Sequence, residues 1–425
     1  MEVTVIGGGL AGSEASYQLA SRGARVTLYE MRPKVGTEAH KTPYLSELVC
    51  SNSLKSRELS DAHGLLKEEL RRLGSLLMEV ADRTSIPGGK ALVVDRDRFA
   101  LEITHIIENH PNISVVREEV RKIPEGVVIV ATGPLTSPSF SEEIRRMTGE
   151  ENLYFFDAIS PIVDGETIDM ERAFFGVRYG EGDDYLNCPM TEEEYKRFYE
   201  SLLRAEKVEF RDFERIPYFE GCLPIEVMAE RGRDTLLFGP LKPVGLKDRQ
   251  GRRPYAVVQL RREDSQGRMW NLVGFQTKLT YSEQERVFRL VPALRNAKFL
   301  RYGSIHRNTY INSPKVLNER LQLRREERIF FAGQITGVEG YVESTSTGLL
   351  AGLSALSYLR GKEFHPPPRG TAIGSLIAYI TEERRDFQPM NVNFGLIDGY
   401  RRAKKAEVVE RALHLIEEWK AYVES

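Results

Sequence analysis

The sequence predicts a doubly wound α/β unit interrupted by an inserted segment of mixed α+β character. Three observations predict it. A strand, glycine turn, helix and strand follow one another within the first 30 residues. A related strand–glycine signature returns near residue 330. Between the two, strand and helix stop alternating.

Val3-Thr4-Val5-Ile6 reads as a short buried strand. Gly7-Gly8-Gly9-Leu10-Ala11-Gly12 follows at once. Ser13 to Arg22 then carries small and apolar residues at helical spacing (Ala15, Leu19, Ala20), and Gly23 is its stop. Ala24 to Tyr29 is a second strand, ending at Glu30. A polar loop, Val49-Cys50-Ser51-Asn52-Ser53-Leu54-Lys55-Ser56, breaks the pattern. Leu65 to Met78 is predicted as one helix, Ala91 to Val94 as a strand, and Phe99 to Asn109 as a helix. Ile113 to Val116 and Val127 to Val130 are strands, the second running into Ala131-Thr132-Gly133. After residue 155, short aromatic and β-branched runs sit among Pro and Gly. The alternating signal returns at Ile329-Phe330-Phe331-Ala332-Gly333, with a helix from Ser344 to Tyr358. Pro366-Pro367-Pro368 ends that unit. Ile373 to Glu424 is predicted helical, with an apolar stripe of Val408, Ala412, Leu415, Ile416 and Trp419. The expected division is 1–155 and 326–425 as two parts of one nucleotide-binding domain, with 156–325 inserted between them.

A length of 425 residues fits two to three domains. Hydrophobic residues at 41% and charged residues at 29% exclude a disordered chain, a collagen-like repeat and a coiled coil. No apolar run approaches the roughly 18 residues of a membrane span. Lys+Arg 60 against Asp+Glu 62 leaves a net charge of −2, so nucleic acid would have to be met by local patches. Three scattered cysteines (Cys50, Cys188, Cys222) make no disulfide framework and favour a reducing compartment. The seven histidines lack metal-ligand spacing, so no metal is expected. The chain enters a strand at Val3 with no charged or apolar leader region, so no signal peptide is expected and the cytoplasm is.

Gly7-x-Gly9-x-x-Gly12 alone is a weak motif. Its context strengthens it: a strand before, a helix after, and Glu30 standing 18 residues beyond Gly12. Gly7 makes the tight turn, Gly9 lets backbone approach a pyrophosphate, and Gly12 allows close helix–strand packing. The helix N-terminus offers unpaired N–H groups to phosphates. Glu30 can accept hydrogen bonds from ribose hydroxyls. The alternative is a tight turn in an unrelated α/β protein. No second fingerprint follows. Ala131-Thr132-Gly133 and Phe330-Phe331-Ala332-Gly333-Gln334 resemble the other two signatures of the glutathione-reductase-type FAD fold. That resemblance implies FAD against Gly7, Gly8, Gly9, Leu10, Ala11, Gly12, Glu30, Thr132, Gly133, Gly333, Gln334 and Gly337, with Val120 near the adenine. A flavin disulfide reductase needs a redox-active cysteine pair after the first unit, and Cys50 stands alone there.

A closer resemblance runs through Leu48-Val49-Cys50-Ser51-Asn52-Ser53-Leu54-Lys55, Leu186-Asn187-Cys188-Pro189-Met190 and Phe219-Glu220-Gly221-Cys222-Leu223-Pro224-Ile225-Glu226. It continues through Gly274 to Thr280, Gly303 to Tyr310 and Gly333 to Tyr341. These segments resemble the folate- and FAD-dependent tRNA (uracil-5-)-methyltransferase family (TrmFO), small relatives of the GidA/MnmG flavoproteins. The resemblance implies methylation of uridine 54 in the T-loop of tRNA, giving 5-methyluridine. The one-carbon donor would be 5,10-methylenetetrahydrofolate, with NAD(P)H supplying electrons through FAD. It places Cys50 as the nucleophile and Cys222 as partner thiol, a base or proton shuttle. A thiolate suits addition to carbon 6 of uracil, which turns carbon 5 into a nucleophile. Cys50 guarding the flavin, and either cysteine as a buried hydrophobe, stay open. Cys188 reads as structural. Tyr341 either stacks beside flavin and folate or is an ordinary loop aromatic. Lys278, His306 and Arg307 are candidates for the folate tail.

Residues 231–262 carry nine basic side chains (Arg231, Arg233, Lys242, Lys247, Arg249, Arg252, Arg253, Arg261, Arg262) against Asp234 and Asp248. Arg401-Arg402-Ala403-Lys404-Lys405 is a second patch. Both suit RNA phosphates or a solvated charged face. The competing readings are GidA-like modification of a wobble uridine and a non-catalytic RNA-binding flavoprotein.

Overall fold

The computed structural model describes residues 1–208, 218–400 and 404–425. The first sheet has six strands in the order Gln322–Leu323, Glu326–Phe331, Val127–Val130, Glu2–Ile6, Arg25–Tyr29 and Ile113–Val116. All neighbours are parallel except the hairpin at Gln322–Phe331. Of the inner strands, Val127–Val130 is apolar on both faces because the sheet is packed on both. Val127–Val130 is buried at every position. Helices Leu10–Ala20 and Tyr341–Leu359 lie against each other on one face. Gly348 makes the close approach possible, since a Cβ there would come within 2.3 Å of the Ala11 carbonyl oxygen.

The region between the two halves forms an antiparallel sheet in the order Phe174–Gly176, Tyr185–Met190, Ala256–Arg262, Met269–Leu272, Ile162–Asp164 and Phe299–Arg301. A two-stranded ribbon, Leu153–Ile159 against Ser304–Tyr310, runs beside it. Helix Glu192–Arg204 buries Tyr195, Phe198 and Leu202 in that region's core, beside Cys188. Its capping box (Thr191 and Glu194) holds its first turn. Ile311, Val316, Leu317 and Leu323 already pack with Val128 and Phe331, so this part of the chain belongs to the core of the first sheet.

Two predicted helices prove to be interrupted. The segment read as one helix from Leu65 to Met78 is two, Ala62–Arg72 and Leu76–Arg83. Gly74 at φ +74° ends the first. Ser75 starts the second by accepting the Met78 N–H at 3.3 Å. The C-terminal helical stretch is likewise Ala372–Thr381 and Lys405–Glu424, with a 3-10 turn at Phe394–Leu396 between them. Among the described residues, no helix is long and apolar enough to cross a membrane.

Candidate functional site: a dinucleotide pocket beside a thiol pair

The C-terminal ends of three adjacent strands converge, which spacing alone could not show. Ala131 donates its N–H to the Ile6 carbonyl at 2.8 Å, and Ala332 donates to Val130 at 2.9 Å. Gly7 turns there at φ +104°, where a Cβ would lie 2.3 Å from the Ala131 carbonyl oxygen. The first helical bond is Ser13 N–H to Gly9 at 2.9 Å, so the amides of Leu10, Ala11 and Gly12 have no acceptor within the helix. Their dipoles add to a positive helix end suited to phosphate.

These ends frame a pocket of about 1000 Å³, its open mouth included. Gly7, Gly8, Gly9, Leu10, Ala11, Glu30, Val120, Thr132, Gly133, Gly333, Gln334 and Tyr341 all line it. Gly12 and Gly337 do not. A Cβ on Gly12 would lie 1.8 Å from the Gly7 carbonyl oxygen, and one on Gly337 would strike the Phe387 ring. A Cβ on Gly9 meets nothing within 4 Å. The fold leaves Gly9 facing open space, and a side chain would occupy the cradle that a pyrophosphate needs.

Glu30 is buried at the end of its strand. It accepts the Gly8 N–H at 3.0 Å and both the N–H and Nε of Arg32 at 2.9 Å. Arg32 also reaches Glu47 at 3.1 Å. Burial opposes the Glu30 charge, but Arg32 and the two amides outweigh it and hold the carboxyl below its usual range. The predicted ribose acceptor is therefore a carboxylate held in place by its own hydrogen bonds, and Arg32 went unread in the sequence.

The Cys50 loop is held along its whole length. The Leu48 carbonyl accepts from Arg96, whose Nε also pairs with Glu263 at 2.7 Å. The Val49 carbonyl accepts from Arg301 at 2.6 Å. Arg261 donates to the Ser51 hydroxyl at 2.7 Å and to Asn52 Oδ1 at 2.9 Å. The N–H groups of Cys50 and Ser51 both donate to the Tyr341 hydroxyl, at 2.8 and 3.0 Å.

Cys222 comes from a 3-10 turn, Glu220–Cys222, and its thiol lies within hydrogen-bonding reach of both Cys50 and Asp157, to one of which its single S–H donates at a time. The pair is thus assembled from positions far apart in the chain. The hydrogen bond with Cys50, then burial, then the nearby Asp157 charge push the Cys222 thiol well above its usual range. Asp157, on strand Leu153–Ile159, lies against Cys222. Burial raises its carboxyl to about 6, against hydrogen bonds from Cys222, the Ala158 amide and Asn308. Glu339 closes the cluster. Burial and Asp157 raise its carboxyl, and Gln334 donates to it at 2.5 Å. Asp157, Glu339, Arg96 and Arg301 were not read in the sequence as parts of a site, and Arg261 was read only as part of the basic 231–262 segment.

The other candidates separate. Cys188 is fully buried among apolar neighbours, and burial raises its thiol. Lys278 donates to the Tyr218 hydroxyl at 3.0 Å. His306 is buried with Nε2 2.9 Å from the Ser304 hydroxyl. Arg307 lies over the Tyr154 ring at 4.6 Å, lining a groove that shares Met31, Thr37 and Pro134 with the pocket. Much of the basic 231–262 segment is engaged. Arg261 holds the Cys50 loop, and Arg262 lies over the Phe175 and Trp270 rings. Arg233 pairs with Glu192 and Arg252 with Asp248. Arg401, Arg402 and Ala403 of the second patch lie outside the described residues. Among the described residues, no group of three or more His, Cys, Asp or Glu is placed to hold a metal ion.

Fold and pocket together define a dinucleotide-binding α/β protein of the glutathione-reductase type with an α+β insertion. The model of the family "Glucose inhibited division protein A" matches residues 2–363. The methylenetetrahydrofolate--tRNA-(uracil-5-)-methyltransferase TrmFO of Anoxybacillus flavithermus is 56% identical over 98% of this chain and 99% of its own. The TrmFO of Aquifex aeolicus is 57% identical over 98% of this chain and 96% of its own. The crystal structure of Aquifex aeolicus GidA in form II superposes with a TM-score of 0.71 at 20% identity, covering 99% of this chain and 74% of that one. The chain belongs to the TrmFO family, within the wider GidA group.

Proposed function

We propose that this chain methylates carbon 5 of uridine 54 in the T-loop of tRNA. The carbon comes from 5,10-methylenetetrahydrofolate, and NAD(P)H supplies electrons through bound FAD. The single observation that carries the chemistry is the meeting of Cys50 and Cys222 beside a pocket built for a dinucleotide. Relatives at 53–57% identity bear the name of this activity. The GidA likeness, at 20% identity, speaks for the fold alone, which favours the T-loop reading over wobble-uridine modification.

In this reading the amides of Leu10 and Ala11 hold the pyrophosphate and Glu30 takes the ribose hydroxyls. Val120 borders the adenine, and backbone at Thr132, Gly133, Gly333 and Gln334 borders the ring system. Gly12 and Gly337 act by shaping the turns behind. When bound, FAD supplies the electron transfer that turns the donated carbon into a methyl group. Tyr341 and the arginines fix the Cys50 loop so that its sulfur can add to carbon 6 of the uracil. Cys222 then handles the proton that leaves carbon 5. The target base must leave its stack to reach the thiols.

In the proposed division of labour 1–155 and 326–425 hold the cofactor and 156–325 brings Cys222 and RNA-facing surface, with Ile311 to Leu323 packed on the cofactor-binding sheet. The route uses no metal, and three unpaired thiols suit the cytoplasm. The test is incubation with unmodified tRNA transcript, labelled methylenetetrahydrofolate and NAD(P)H. Label in the T-loop base, lost in Cys50→Ala, is the expected result; label elsewhere or nowhere overturns the reading.

A further inference from the structure

Among the described residues, several other buried acids are bound to backbone amides or paired with an arginine. Glu69 accepts from Ala372 and Ile373 at 2.7 and 2.9 Å, Glu14 from Leu76 and Leu77 at 3.2 and 3.1 Å, and Glu263 pairs with Arg96 at 2.7 Å. Asp157 has no arginine or lysine among the described residues paired with it and keeps one oxygen free beside the thiols. It is the one acid in the apolar strand Leu-Tyr-Phe-Phe-Asp-Ala-Ile, and its Oδ1 is shielded from solvent with no hydrogen-bond partner. Leaving a buried acceptor unpaired is destabilising. Geometry brings both thiols to this acid: the Cys50 sulfur lies 4.0 Å from the carbonyl of Ala158 next to it, and the Cys222 turn is tied to its other neighbour, Phe156, through Phe219.

We propose that Asp157 is the terminal proton acceptor of the thiol pair, receiving through Cys222 the proton that leaves carbon 5 of the substrate uracil. The proposal rests on the uracil-5 methylation reading above. As the C5–H bond breaks, an S–H bond forms at Cys222. The original Cys222 S–H bond breaks, and an O–H bond forms on Asp157. Two protons each shift one place, no electrons are exchanged with an outside reagent, and the carboxyl later returns its proton to water. Cys222 thus never has to persist as a free thiolate, which its surroundings disfavour. Asp157 acts through Cys222 and does not touch the base, so it is a positioning residue with a proton to hold.

The groups around it support the role. Cys222 faces it from the 3-10 turn, with Cys50 beyond. On the neighbouring strand His306 stands opposite it in register, and Asn308 donates to it. Glu339 comes from the loop after Gly337, and its raised carboxyl keeps it from competing as a charge. An acceptor near 6 is well matched to proton transfer near neutral pH.

The experiment is the pH dependence of kcat for tRNA methylation by the FAD-loaded full chain. Asp157→Asn should lower kcat by roughly 10²-fold or more with KM for tRNA unchanged, and should flatten the acidic limb of the profile. Asp157→Glu should keep that limb, displaced. In a Cys222→Ser background, Asp157→Asn should cost little further, because the two act in series. Wild-type kcat with an unchanged profile in Asp157→Asn overturns the proposal. Should that variant fail to fold, an undisplaced limb in Asp157→Glu overturns it. If the wild-type chain puts no label into uridine 54, the functional reading falls; if it does and the variants behave as wild type, only the role of Asp157 falls.

Discussion

The Tyr341 hydroxyl accepts the backbone N–H of Cys50 at 2.8 Å, so the first residue of a long helix fixes the loop that carries the thiol. The same oxygen takes the Ser51 N–H at 3.0 Å. Two amides next to the reacting sulfur therefore depend on one phenol. The ring itself lines the dinucleotide pocket, so one side chain ties loop geometry to cofactor position.

Tyr341→Phe keeps the ring and removes the acceptor. Each stranded donor costs on the order of 1–3 kcal/mol, so the loop will rearrange rather than keep its shape. The expected outcome is retained FAD absorbance, faster hydrogen exchange at Cys50 and Ser51, and a fall in kcat of about tenfold or more. Exchange at wild-type rate would show that the phenol does not hold the loop.

Arg261 supports the same loop from the inserted sheet through Ser51 and Asn52. Arg261→Met removes both contacts while keeping length and packing. Because Arg261 is buried at the site and not on a surface, its loss should lower kcat and leave tRNA affinity and its salt dependence as they were. A phosphate-binding arginine would do the reverse, reducing the salt slope by about one. Binding measured at two salt concentrations separates the two.

That arginine shows where sequence reading stops. Strand ends, turn glycines and the acid at position 30 are local signals, since each follows from residues within a few positions of it. Gly7, Gly8, Gly9 and Glu30 line one pocket in the fold. Arg261 and Arg262 looked equivalent in a basic run, yet strand pleat turns them to opposite faces, one toward Asn52 and the other onto Phe175 and Trp270. The Cys50–Cys222 encounter and the place of Asp157 depend on how the insertion folds back, which no local pattern encodes. A charged residue inside an apolar strand was the available signal for Asp157. The break at Gly74 was legible too, because a glycine followed by serine is a helix stop and a new cap.

The glycine turn gives a paired test. Gly9→Val points its side chain into open space within the pocket. The variant should fold with a near-normal melting temperature and lose FAD. Gly12→Ala puts a methyl 1.8 Å from the Gly7 carbonyl, so helix and strand must separate. That variant should melt lower, by about 1 °C for each kcal/mol lost in a chain of this length. Equal behaviour of the two variants would contradict the separate roles.

Glu30 links the pocket to pH. Its folded carboxyl is held below the unfolded value of about 4.3, so its contribution is present above that value and is lost as pH falls through the folded value. Removing one partner of a buried ion pair costs about 3–5 kcal/mol, and Arg32 would keep only Glu47 and a carbonyl. Glu30→Gln should therefore lower the melting temperature at pH 7 and weaken FAD binding. The difference in stability from wild type should shrink as the pH is lowered from about 5 toward 3, because the wild-type carboxyl then becomes neutral as well. Melting curves of both proteins across that range check the sign. A difference that stays constant with pH would mean that the glutamate acts by shape and not by charge.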